Sequence, residues 1–558
     1  MAESMGDPMD EPGDDPMSDE PIRIGHVVSV AGSKVSAILN HAEMNGSAKA
    51  GLPGGTRSAV QVGAITRIHT GQSTVFGMIS SMRTENPSFP PVADEKRFFE
   101  MELLGEAMLD VASGRELPFQ RGVSVYPGLG AEIYAATRDD LGRVYARPTA
   151  DNVRIGSIHQ DRTIPAFVTT DQLIGKHFAV LGTSGSGKSC TVALLLRAIL
   201  DQHPSGHIVL LDPHNEYSTA FGDRAEIISP QNMEMPYWLL NFEETVEMVI
   251  GRDGMRHEVE VGILKNAILD AKRRYAGEGR DTGYITVDTP VPYRMATLIQ
   301  YLDKQMGRLD KPETATPYMR MKDRIETLNA DARFGFMFSG MFVSDNMAKI
   351  LSRLMRIPVA GKPITIVDLS GVPSEIVEVV VSMLCRVIFD FALWAERSRA
   401  VPVLIVCEEA HRYVPKGEGA FQSARKALGR VAKEGRKYGV ALCLITQRPS
   451  ELSPEVLSQC NTLFALRMSN QPDQEYVAKA LPDSAIGLIN SLPALRTQEA
   501  IVVGEGVNVP VRLTLDTLPE ENRPRSGSAA FANAWQKEAS SKDFIEDTIE
   551  RWRRQTRD

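Results

Sequence analysis

The sequence is poor in features that would open several functional classes. Its 558 residues include only five cysteines (Cys190, Cys385, Cys407, Cys443 and Cys460), an odd number with no C-x-x-C pair. That spacing fits neither a disulfide framework nor a cysteine zinc site, and reads as reduced thiols in apolar surroundings. Uncharged apolar runs are also missing: the stretch from Ile376 to Ala395 carries Glu378, Arg386 and Asp390. No membrane-spanning helix is expected. The N-terminus lacks a basic segment followed by an apolar one, so the expectation is a cytoplasmic chain. There is no [NT]-K-x-D guanine-reading motif, no H-E-x-x-H metalloprotease motif and no evident Ser/His/Asp set. GTPase, protease and independent nuclease chemistry therefore have no sequence support.

What remains is ordinary globular composition, 43% apolar and 24% charged, in a length that allows about three or four domains. The net charge of −9 is unevenly placed. The first 21 residues hold eight acids and no base, which leaves the rest almost balanced. Overall charge thus neither supports nor excludes a nucleic-acid partner, and a basic surface must be sought locally.

The pattern along the chain divides it. Residues 1–21, rich in Asp, Glu, Pro and Met without an apolar period, are expected to be a disordered acidic leader. Short β-prone pieces separated by Gly, Ser and Asn fill 22–155 (IRIGHVVSV, SAVQVGAITRI, STVFGMISSM, RFFEMELLG, AEIYAAT), which predicts a small N-terminal β-barrel. From 156 to 525 apolar strands alternate with helices: HFAVLG, HIVLLD, ITIVDLS, VLIVCEE and ALCLITQ, with AIVVGEGVNVPVRLTL closing the domain as two strands. Such a rhythm predicts an α/β fold with a parallel sheet covered on both faces. It is interrupted at about 241–342 by helical periodicity, the expected helical insertion. Residues 526–558 read as a polar linker and a charged helix near Phe531 to Arg554.

The strongest motif is G-x-x-x-x-G-K-[ST]: Gly182, Thr183, Ser184, Gly185, Ser186, Gly187, Lys188 and Ser189, directly after HFAVLG and before a helical segment opening at Cys190. Strand, loop and helix in that order make a phosphate cradle. Its glycines let backbone N–H groups converge, Lys188 reaches outer phosphates, and Ser189 is placed to ligate Mg²⁺. Nucleotide binding is assigned to Gly182 through Cys190, with ATP and Mg²⁺ as the expected ligands. A second apolar strand ends in Glu408-Glu409, where a parallel sheet opens its ligand crevice. Glu408 is expected near the metal, and Glu409 is expected to polarise the attacking water. Gln447, at the tip of ALCLITQ, is a phosphate sensor or a turn residue, and Asp212, before Pro213, is a crevice residue or a turn former. Between Arg412 and Lys437 eight bases face two acids, and Lys426, Arg430, Lys433 and Lys437 recur at helical spacing. A basic face of that kind suits a subunit edge, where an arginine meets a neighbour's γ-phosphate; Arg436 is the first choice and Arg430 the second.

Taken together, GTSGSGKS, DPHNEY, EEAHRYVP, KEGRKYG and LITQRPSEL, in that order behind a barrel, resemble the HerA-type ATPases of the HerA/FtsK group over about residues 22–520. The resemblance implies a RecA-like P-loop ATPase core, a homohexameric ring with ATP between subunits, and translocation of double-stranded DNA. It assigns phosphate and Mg²⁺ binding to Lys188 and Ser189, water activation to Glu409, phosphate sensing to Gln447, and action in trans to Arg436, with Lys176 as a further interface residue. It also implies an effector on the barrel, either a nuclease or a sirtuin-like NAD-consuming protein. Antiphage defence is the leading expected setting; DNA-end processing with a NurA-like nuclease, or an ATP-gated scaffold ring, are the alternatives. The family usually carries Asp-Glu where this chain has Glu408-Glu409.

Overall fold

The computed structural model describes residues 22–40, 60–85, 96–110, 112–251, 258–277, 282–308, 312–338, 343–417, 422–481, 485–525, 535–536 and 542–554. The acidic leader at 1–21 and most of the segment from 526 to 541 lie outside them. Seven strands form the N-terminal unit: β1 (Arg23–Ala31), β2 (Lys34–Leu39), β3 (Ile65–His69), β4 (Ser73–Thr84), β5 (Arg97–Met108), β6 (Gln120–Arg121) and β7 (Glu132–Ala135). Their order is β2-β1-β7-β3-β4-β5, and β2 pairs back onto β5, so six antiparallel strands close into a barrel with β6 attached outside. The long β4–β5 pair shifts register at Phe76/Gly77 and Ile79/Ser81, irregularities that bend two long strands enough to close. Val75 and Ile79 point into the barrel with Ile24, Phe99 and Met101. Phe76 and Met78, of opposite strand parity, pack into the larger unit's core.

That larger unit is an eleven-stranded sheet ordered β12-β13-β11-β14-β15-β10-β16-β17-β18-β8-β9. The strands are β8 (Asn152–Ile158), β9 (Pro165–Thr169), β10 (Phe178–Leu181), β11 (Ile208–Asp212), β12 (Ala225–Ile228), β13 (Ile364–Asp368), β14 (Val403–Cys407), β15 (Val440–Thr446), β16 (Thr462–Ala465), β17 (Glu499–Gly504) and β18 (Val511–Leu515). The seven from β12 through β16 run parallel, and the four beyond are antiparallel. β10, β11, β13, β14 and β15 are buried at every residue, as their unbroken apolar sequences require for a doubly covered sheet. The expected boundary between residues 155 and 156 falls inside β8. Its hydrogen-bonding partner β18 draws β8 into the large sheet, a long-range pairing that local pattern does not reveal.

The helices that bear on the site are α1 (Lys188–Gln202), α2 (Phe242–Val249), α3 (Glu258–Ala276), α4 (Met295–Met306), α5 (Pro312–Ala330), α6 (Ser374–Trp394) and α7 (Gln422–Tyr438). Helices α2 to α5 lie between β12 and β13, and a further helix, Met347–Met355, extends this helical region beyond Phe342. The region is fastened to α6 by Arg386, whose guanidinium pairs with Glu244 at 2.9 Å and donates to the Leu239 carbonyl at 2.6 Å. The Glu244 side chain is 1% exposed, so the pair is nearly dry. Lys272 is buried and donates to the carbonyls of Val287 and Thr289, which ties α3 to the following loop; burial pushes its ammonium down to about 8. Among the described residues no helix is long and apolar enough to cross a membrane. A C-terminal helix spans Lys542–Arg554; residues 531–534 and 537–541 of the expected Phe531 to Arg554 helix lie outside the described residues.

Candidate functional site

Chain order sends β10 to β11 past β15 and β14, which lie between them in the sheet. That switch opens a crevice beyond the carboxyl ends of β10 and β15, where α/β sheets bind ligands. The loop from Gly182 to Gly187 leaves β10 there and enters α1. Gly187, at φ 101°, caps the helix in the left-handed region, which a side chain rarely adopts. A Cβ at Gly182 would stand 2.6 Å from Ser186 Oγ and 2.9 Å from Leu466 Cβ, so packing also demands glycine. Lys188 is buried, and its ammonium turns back to the Thr183 carbonyl at 3.2 Å. Burial lowers its pKa, against the opposing charges of Glu408, Glu409 and Glu216.

Oxygen donors gather beside it. Ser189 Oγ donates to Glu216 Oε2 at 2.6 Å, and Tyr217 Oη donates to Glu408 Oε2 at 2.7 Å. Glu408 is fully enclosed; burial pushes its carboxyl up to about 8, and Glu216 and Glu409 add to the rise against Tyr217 and Lys188. Glu409 follows at φ 52°, a strained conformation for a non-glycine residue that turns its carboxylate across the crevice. Gln447 links two parts of the site: its amide nitrogen donates to Glu409 Oε1 at 2.9 Å, and its carbonyl accepts from Ser184 Oγ. On the other side His411 Nδ1 lies 3.2 Å from Glu409 Oε2 and 3.0 Å from Thr446 Oγ1. Thr446 Oγ1 also accepts from the Arg448 N–H at 3.0 Å. Burial holds His411 below its ordinary pKa, against the charges of Glu409 and Glu451, and among the described residues the buried Glu409 Oε2 has no hydrogen-bond partner.

The donor set fits a nucleotide and its metal. Ser186 Oγ in the loop and Glu409 Oε2 opposite are both buried and unpaired, polar atoms waiting for a partner. Ser189, Glu408 and Glu216 supply hard oxygens. Among the described residues no group of three acidic, His or Cys side chains is disposed to hold a metal alone. Mg²⁺ is ordinarily held by one or two carboxylates together with substrate phosphates.

Not every expected residue joins this cluster. Asp212 lies at the end of β11, but its carboxylate accepts the backbone N–H groups of His214 and Tyr217 and so holds the turn that presents Glu216 and Tyr217. Arg436 ends α7 and Lys176 precedes β10, so both stand at the amino ends of the strands, opposite the phosphate loop. The basic face of α7 is largely neutralised from within: Lys426 pairs with Glu243, Arg430 with Asp390 and Glu434, and Lys433 with Glu455. The acids come from three other elements as well as α7, which is why helical spacing alone overstated that face. Arg430 also lies over the Phe389 ring at 4.5 Å. Arg436 has no ion pair or hydrogen bond among the described residues. His411 was missed as a site residue; its place two residues after Glu409 was the only available signal.

This constellation defines a P-loop ATPase with a RecA-like core. A family model for the helicase HerA central domain matches residues 153–388. The DNA double-strand break repair helicase HerA of Pyrococcus furiosus is 25% identical over 471 residues, covering 77% of this chain and 81% of that one. The protein of the same name from Sulfolobus acidocaldarius is 24% identical over 432 residues, covering 76% and 80%. Among solved structures, VirB4 of Thermoanaerobacter pseudethanolicus superposes with a TM-score of 0.50 at 18% identity, covering 67% of this chain and 99% of that one. Over about three quarters of its length the chain is thus similar to HerA-type ATPases.

Proposed function

We propose that the chain is an ATP-driven motor that assembles as a homohexameric ring and translocates or unwinds double-stranded DNA together with an effector docked on its barrel. The observation that supports this reading is that the phosphate crevice and Arg436 lie at opposite ends of the parallel strands. Lys188, Ser189, Glu408 and Glu409 stand at the carboxyl ends of the strands, and the unpaired Arg436 stands with Lys176 at the amino ends. β15 alone, whose seven residues separate Arg436 from Gln447, is about 23 Å long. A guanidinium cannot cover that span, so Arg436 serves a neighbour's phosphate.

Within a site so completed, Lys188 and the loop N–H groups bind the phosphates of ATP. Ser189 and Glu408 would hold Mg²⁺, with Glu216 beside them, and the ion would neutralise charge on the phosphate oxygens. Glu409, held by Gln447 and left with one bare oxygen, orients and polarises the attacking water. Ser184, Gln447 and Glu409 form a continuous hydrogen-bonded chain from the phosphate loop to the other carboxylate oxygen, Oε1. Glu408 replaces the usual Asp with a longer side chain, and its bond to Tyr217 sets the position of its carboxylate.

DNA as cargo is drawn from the names of the relatives, several of which are DNA double-strand break repair helicases. The expected antiphage setting has no separate support in the fold. Native mass measurement in ATP, Mg²⁺ and duplex DNA tests the reading. A six-subunit species whose DNA affinity falls with salt is expected; a chain that stays monomeric under those conditions refutes it.

A further inference from the structure

The amino-end edge of the sheet carries, beside its two cations, an acid that the catalytic reading does not use. Glu505 follows β17 in a turn clamped onto the start of β16. Gly504 adopts φ 123°, and a Cβ there would lie 1.9 Å from the Asn461 carbonyl oxygen, so the turn cannot move outward with any other residue. The Glu505 N–H donates to Asn461 O at 3.1 Å, and the Gly506 N–H donates to Thr462 Oγ1 at 2.9 Å. Thus fixed, the Glu505 carboxylate accepts from Asn461 Nδ2 at 2.9 Å with one oxygen and pairs with Lys176 through the other. Lys176 and Asn461 hold its pKa below the ordinary carboxylate range, and the charge of Arg436 adds to the effect.

The two cations are also mechanically joined. His177, next to Lys176 and itself at φ 54°, is buried; its Nε2 lies 3.1 Å from the Ala432 carbonyl on α7, four residues before Arg436. Its Nδ1 accepts from the Leu442 N–H of β15 at 2.9 Å, which assigns the proton to Nε2. Arg436 also lines a recess of about 650 Å³ at this edge, floored by Ile199, Leu200, Val403 and Val440, so space for a neighbouring group is already present.

We propose that the Glu505 carboxylate stands in for phosphate: in the lone protomer it pairs with Lys176 at the edge that also carries Arg436, and in the assembled ring it competes with the neighbour's nucleotide for Lys176. Glu505 is then a positioning residue that acts as an electrostatic brake on ATP use. This rests on Arg436 acting in trans. Near a phosphate an acid is repulsive, and removing its charge relieves the repulsion and frees Lys176.

The test uses the full chain and steady-state ATPase kinetics. Glu505→Gln keeps the size of the side chain and its bond to Asn461. It should lower KM for ATP about threefold to fivefold, the scale of one partly exposed charge pair, without lowering kcat. In a Lys176→Met background the same substitution should lower KM less, because only the direct repulsion of the phosphate is then relieved. An unchanged or raised KM for Glu505→Gln, or an equal decrease in the Lys176→Met background, overturns the brake. Arg436→Ala, measured in parallel, separates the two readings. If it hydrolyses ATP like the wild type, the trans site itself is wrong and the brake falls with it; if it is inactive while Glu505→Gln is unchanged, only the brake is lost.

Discussion

Subunit mixing measures the divided ATP site most directly. Glu409→Gln disables the pocket of the subunit that carries it but leaves that subunit's Arg436 intact. Arg436→Ala does the reverse. The two changes lie at opposite ends of the parallel sheet, whose strand β15 is about 23 Å long, so neither substitution should disturb the fold around the other's residue. Each homogeneous variant should lose turnover steeply, by about 10³-fold or more for the arginine, the range found for such fingers. In a randomly mixed ring at equal amounts, a working interface needs an Arg436→Ala subunit supplying the pocket and a Glu409→Gln subunit supplying the guanidinium. With head-to-tail contacts each condition is met half the time, so about a quarter of interfaces are wild type throughout. ATPase of the mixture, after dissociation and reassembly, should therefore rise from near zero to about a quarter of the wild-type rate if interfaces fire independently. A mixture no more active than its components would refute the trans assignment.

Other expectations follow from single contacts. Gln447→Ala breaks the chain from Ser184 to Glu409 and should reduce kcat about 10²-fold through misplacement of the carboxylate, with KM for ATP little changed in initial-rate assays. Arg386→Met leaves Glu244 buried without its countercharge and should destabilise the fold by about 3–5 kcal/mol in urea unfolding, and Arg386→Met with Glu244→Gln should recover part of the loss. His177 is held below its ordinary pKa chiefly by burial, with Arg436 adding to this and the Ala432 carbonyl opposing it. As pH falls below about 6.5 the unfolded chain takes up this proton first, so stability declines. His177→Asn, which tolerates the left-handed backbone, should shrink the difference in unfolding free energy between pH 7.5 and pH 5.5 by up to about 1 kcal/mol.

Much of this molecule was legible before any coordinates. The phosphate loop, the acid pair closing β14 and the apolar strands are local signals, because a buried parallel strand must be apolar throughout and its polar end must face the crevice. Strand β2 and the pairing of β8 with β18 were not legible: their partners are remote in sequence, and nothing in a short β-prone segment says which edge it joins. The fate of α7's basic face was equally hidden, since Glu243, Asp390 and Glu455 come from elements far apart along the chain.

By itself, then, the sequence determined the kind of chemistry, since glycines, a lysine, a serine and two glutamates at strand ends serve phosphate whatever surrounds them. The tertiary structure alone decided which residues meet. It put His411 against Glu409, made Asp212 a turn holder and left Arg436 unpaired at the far edge of the sheet beside Lys176 and Glu505. The physical reason is that strand direction fixes the end at which a side chain emerges, whereas charge neutralisation depends on distances between segments that only packing brings together.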